Sequence, residues 1–153
     1  MRRLFLMVVF ALQMGASFAI SEKAGPPPSQ FKVLKAEFGL IVPGGFQPST
    51  RVPLKDGQSF GWVIQLETKR DTIKWREELR MPAAPQTWQA DEKSGKHTVS
   101  ADRKTSILER EARIENGLIY NFWQISPGDP KGRYTMRVMI EGMLVSTFDF
   151  EVE

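Results

Sequence analysis

From Phe31 onward the dominant period of the apolar residues is two, and no other feature constrains the fold as tightly. Leu34, Ala36, Phe38, Leu40 and Val42 alternate with Lys35, Glu37 and Gly39. After the break at Pro43-Gly44-Gly45, Phe60, Trp62, Ile64 and Leu66 alternate with Gly61, Val63, Gln65 and Glu67. In "IKWREELRMP", Ile73, Trp75, Leu79 and Met81 oppose Lys74, Arg76, Glu78 and Arg80, and Pro82 ends the run. A helix would scatter these residues around its cylinder, whereas a strand puts them on one face.

The last third is equally regular. Leu118 to Ile125 reads as a strand, and Arg133 to Glu141 as another, with Tyr134, Met136, Val138 and Ile140 on one side. Glu141-Gly142 turns the chain, and Leu144 to Val152 runs back. Between these parts, residues 83–100 read mostly as loop. Ser106 and Glu109 have capping-box spacing, but Thr105 to Glu115 is short and precedes a hairpin-like Glu115-Asn116-Gly117, so a strand is expected. The sum is an all-β, antiparallel sandwich of about seven strands.

The N-terminus reads as a processing signal. Arg2 and Arg3 precede the apolar run Leu4 to Ala16, and Ser17-Phe18-Ala19 supplies small residues for cleavage. The run is shorter than the roughly 20 residues a membrane span needs. Residues 1–19 are therefore expected to be a signal peptide, 20–30 a Pro-rich tether carrying three consecutive prolines, and 31–153 one domain. Removing 19 of 153 residues leaves 134. The expected location is outside the cytoplasm, periplasmic or secreted.

The chain has no cysteine, which rules out both disulfides and the acyl-bearing Cys of a lipoprotein. Stability must come from the core. Cleavage after Ala19 would remove two of 21 basic and none of 18 acidic residues, leaving a net charge of +1. Such a balance gives no electrostatic reason to bind nucleic acid or an anionic membrane, and no stable membrane insertion is expected after cleavage. The run from Glu67 to Arg80 mixes both signs and reads as a solvated face.

Asp129-Pro130-Lys131-Gly132-Arg133-Tyr134 fits the corner of an Ig-like sandwich. There a tyrosine opening the penultimate strand reaches back to the backbone just upstream. Gly132 permits the tight turn and Asp129 caps it, so these three residues are expected to be structural. Trp75 would be the core tryptophan of the third strand. "AEFGLIV" (36–42), "VPLKDGQSFGWVIQL" (52–66) and "GDPKGRYTMRVMIEGMLVSTFDFEV" (128–152) together resemble a family of exported bacterial Ig-like β-sandwich domains of unknown function. That family often has tryptophan where Tyr134 stands. The resemblance implies the fold and an exported location and transfers no functional residues.

Chemistry is sparse. His97, the single histidine, sits in a polar stretch read as a surface turn, and no glycine-framed serine forms a nucleophile elbow. One histidine and no cysteine do not make a zinc site, and no Asp-rich loop offers a calcium site. The expectation is no enzyme, no metal and no cofactor. Glu77 stands out in the apolar column of its strand. A bulge, an edge position or an arginine partner such as Arg70 is the plain explanation, and a binding-site acid with a raised pKa the sharper one.

Leu118 to Ile125, "LIYNFWQI", is apolar on both faces, with Trp88 in a preceding loop. Trp88, Tyr120 and Trp123 are the candidate partner-binding residues, because interfaces use such side chains as anchors. The function read from this is an exported, non-enzymatic binding or structural module contacting another envelope protein. The alternatives are a cell-wall carbohydrate-binding module stacking sugars on those rings, and a chaperone-like protein engaging a strand along Met143 to Glu153.

Overall fold

The structure, a computed structural model, describes residues 30–88 and 95–153. The expected signal peptide and nearly all of the tether lie outside these residues. Ten strands are described: β1 (Phe31–Val42), β2 (Gly45–Pro48), β3 (Arg51–Val52), β4 (Ser59–Thr68), β5 (Thr72–Arg80), β6 (Lys96–Val99), β7 (Thr105–Arg113), β8 (Leu118–Gln124), β9 (Gly132–Ile140) and β10 (Met143–Val152). The seven long ones correspond to the runs visible in the sequence. The other three have four residues or fewer, too few for a period of two to declare itself.

The strands form a four-stranded sheet, β2-β1-β4-β8, and a six-stranded sheet, β3-β10-β9-β5-β7-β6. Pairing is antiparallel except that β3 runs parallel to the end of β10. Thr105 to Arg113 is strand, as expected for a short run ahead of the Glu115-Asn116-Gly117 turn. Residues 83–100 differ from the expected loop at β6, which pairs with β7 from Lys96↔Glu109 to Val99↔Ser106. His97 is thus a half-buried residue of an edge strand, not part of a surface turn.

The alternating residues meet between the sheets. Phe38 of β1 stacks on Phe150 of β10 with ring centroids 4.2 Å apart, and Phe60 and Tyr134 lie against the same ring at 5.5 and 5.3 Å. Trp75 is in the core, edge-on to Trp62 at 5.2 Å. Burying each large apolar side chain contributes about 1.5–3 kcal/mol, and well-placed aromatic pairs add about 0.5–1.5.

The corner forms as the sequence spacing implied. The buried Tyr134 donates its hydroxyl proton to the carbonyl of Pro130 at 2.7 Å. The Asp129 carboxylate accepts the Ser126 N–H at 2.8 Å, and Gly132 takes φ 123°, a conformation open mainly to glycine. Burial, with Asp129 nearby, pushes the Tyr134 hydroxyl well above its usual range, so it stays a donor. Tyr134→Phe is expected to lower stability by about 1–2 kcal/mol, since the carbonyl loses its partner while the ring still fills its place. Urea unfolding checks this, and an unchanged midpoint would show that the corner bond contributes nothing.

Candidate functional site

Strand parity aims Trp75, Glu77 and Leu79 at the core together, and Glu77 is 1% exposed. Neither an edge position nor a bulge explains it, and Arg70 is not its partner. β5 is an interior strand, and its register runs unbroken through Glu77↔Leu108 on one side and Glu77↔Val138 on the other, so there is neither edge nor bulge. Arg70 pairs with Glu141 instead, at 3.1 Å.

The opposite sheet supplies what Glu77 needs. Its Oε2 accepts the indole N–H of Trp62 at 2.5 Å and the amide N–H of Asn121 at 3.0 Å. Its Oε1 accepts the indole N–H of Trp123 at 2.5 Å. Three donors thus surround one carboxyl group, and hydrogen bonds to a charged acceptor are the stronger kind. Burial pushes the Glu77 carboxyl above its ordinary range, and the three donors and the Arg110 guanidinium pull against this without cancelling it. Arg110 of β7 also reaches Asn121 Oδ1 at 3.5 Å and lies over the Trp75 ring, 5.8 Å from its centroid. Glu77 belongs to the six-stranded sheet and all three donors to the other, so the group ties the two layers together.

Trp123 is thereby fixed from inside. Outside, Trp88 meets it edge-on at 6.1 Å and His97 lies 6.4 Å away. Trp88 donates its indole N–H to the carbonyl of Arg103 at 2.8 Å, and His97 Nε2 meets the buried Ser106 hydroxyl at 2.8 Å. Next to Trp88 and Trp123 opens a cleft of about 330 Å³, walled also by Phe60, Leu79 and Met81 and carrying Gln124, Ser126 and Asp129 as polar groups. Burial raises the Asp129 carboxyl, against the pull of the Ser126 N–H.

The three candidate anchors do not form one surface. Trp88 and Trp123 come together at the cleft. Tyr120 lies on the other face of β8, 56% exposed, beside Phe122 at 5.7 Å. The sequence did not mark Asn121 or Arg110 as site residues, and it showed Trp62 only as a core residue. Asn121 had a legible signal, a polar residue in the inward column of an otherwise apolar strand. Among the described residues, no group of three or more His, Cys, Asp or Glu side chains is placed to hold a metal ion.

Residues 31–153 match the model of the PM0630 beta sandwich domain. The chain belongs to this family. The PM0630 domain is similar in fold to an immunoglobulin-like protein of Pseudomonas aeruginosa, with 19% identity and a TM-score of 0.55 over 82% of this chain and 99% of that one. The soluble domain of PmoD from a Methylocystis species aligns over 79% of this chain and 96% of its own, at 15% identity and a TM-score of 0.44. No curated protein sequence matches the chain. The first likeness shows that this PM0630 domain has an Ig-like sandwich fold, as the corner residues implied.

Proposed function

We propose that this PM0630 domain is an exported, non-enzymatic binding module of the bacterial envelope. Its cleft takes one bulky apolar or aromatic side chain of another envelope protein. The observation that carries the reading is the fixing of Trp123, whose indole N–H is held by Glu77 while its ring forms a cleft wall with Trp88. A wall that does not reorganise loses less entropy on binding. At about 330 Å³ the cleft is at the small end of ligand sites, enough for one side chain or one sugar ring.

The polar groups Gln124, Ser126 and Asp129 beside those rings support a second reading, in which a cell-wall sugar stacks on Trp88. The strand-donation alternative draws no support from β10, where a register shift between Leu144 and Ser146 breaks the stretch left open by β3.

A photoreactive residue at Thr87, on the cleft wall, tests the reading in cells. The expected result is one protein adduct, reduced at least about tenfold by Trp88→Ala, a loss typical of an interface anchor. Trp88 is half-buried and outside every strand, so the fold should survive, which tryptophan emission checks. An adduct on glycan would move the assignment to the sugar. Adducts insensitive to Trp88→Ala would overturn both readings.

A further inference from the structure

Among the described residues, β8 is the last strand of its sheet, with β4 as its sole ladder partner. The ladder bonds beside it fix which backbone groups face outward. Leu66 N–H donates to Gly117 O, and Ile125 N–H donates to Gln58 O. With the register Ile64↔Ile119, Trp62↔Asn121 and Phe60↔Trp123, the odd-numbered residues of β8 bond to β4. The N–H and C=O groups of Tyr120, Phe122 and Gln124 therefore point away from the sheet. Those of Leu118 are taken up by Glu115.

Open edges elsewhere among the described residues are blunted in ways natural proteins use. β1 has a register shift between Val33 and Lys35, and Lys32 and Lys35 lie along its open half. β10 has its own shift, β2 is four residues ending in Pro48, and β6 is four residues with Lys96. β8 has none of these devices. Its seven residues contain no charge, proline or glycine, and its register with β4 is unbroken. An unprotected edge of this length is a pairing surface.

We infer that the edge of β8 pairs antiparallel with β8 of a second copy of this chain, joining the two four-stranded sheets about a two-fold axis at Asn121. Two observations favour a second copy over a foreign strand. The edge is uncharged, so nothing in it repels itself or selects a charged partner. A two-fold at Asn121 pairs the outward groups of Tyr120 with those of Phe122 of the second copy, twice over, and so sets the two rings opposite one another. Those rings already share the outer face with Phe46, 6.2 Å from Phe122, so the two-fold prolongs an aromatic row across the seam. Such cross-strand aromatic pairs are among the favourable ones, and a symmetric contact closes at two.

Sedimentation equilibrium of the purified protein tests this together with two variants, Tyr120→Lys and Phe122→Glu. The parent should be a dimer. Each variant alone should dissociate about 10- to 100-fold more readily, having lost two aromatic pairs. Mixing them should restore dimers, because the register sets the new lysine opposite the new glutamate. Tyr120 is exposed, so Tyr120→Lys should keep the parent's tryptophan emission and serves as the folding control for the half-buried Phe122. A monomeric parent at its highest soluble concentration would overturn the inference. So would variants that stay dimeric, a mixture without rescue, or an open series of larger species.

Discussion

Glu77→Ala is expected to lower the unfolding free energy by about 3–5 kcal/mol, because three buried donors lose their shared acceptor. The loss has a definite origin. Trp62, Trp123 and Asn121 would each keep a donor inside the sandwich with nothing to accept it, at about 1–3 kcal/mol apiece, partly relieved where the sheets let water in. Glu77→Gln keeps the shape and one good acceptor and should lose less. Urea titration separates the two. Equal midpoints for Ala and the parent would mean the three bonds contribute nothing net.

The same residue sets a pH dependence. Because burial raises the folded-state pKa above the ordinary value of 4.5, the native state holds a proton that the unfolded chain has already released. That contribution is complete below about pH 4.5 and is lost as pH rises through the folded pKa. Stability should therefore fall from pH 4.5 upward. Asp129, raised by burial as well, adds to the slope. Glu77→Gln should flatten the curve, and curves running parallel would place the titration elsewhere.

Gly61→Ala should be nearly as damaging, at about 3 kcal/mol, the upper end for forcing extra volume into a packed site. A Cβ on Gly61 would lie 2.0 Å from the Asn121 carbonyl oxygen and 2.8 Å from Phe122 Cα, both backbone atoms of β8. No rotamer change relieves that clash, so the strand itself must move. β8 carries two of the three donors to Glu77, and moving it loosens the clamp as well. Gly44→Ala is the control, since a Cβ there meets nothing within 4 Å. It should leave the urea midpoint almost unchanged. Equal effects of the two substitutions would contradict the argument.

Strand identity was legible because each long run has several periods in which to show its parity. The corner was legible because Asp129, Gly132 and Tyr134 are close in sequence and interact locally. The centre of the sandwich was not. Asn121 lies 44 positions from Glu77 and Trp123 lies 46, and only the stacking of one sheet on the other brings them together. Glu77 looked anomalous because its column was judged alone, without the polar residue in the facing column. Parity also held a clue about the anchors. Tyr120 and Trp123 are three apart, an odd spacing, and so cannot share a face of one strand.

In antibody domains a disulfide spans the two sheets against a buried tryptophan. Here a carboxylate gripped by indole and amide N–H groups spans them, in a chain without cysteine. A covalent staple must wait for an oxidant and can form between the wrong pair of thiols. A hydrogen-bonded one assembles as fast as the layers meet, undoes itself when they meet wrongly, and is indifferent to the reducing power of its surroundings. The route by which such a chain leaves the ribosome and matures therefore needs no thiol oxidase or isomerase.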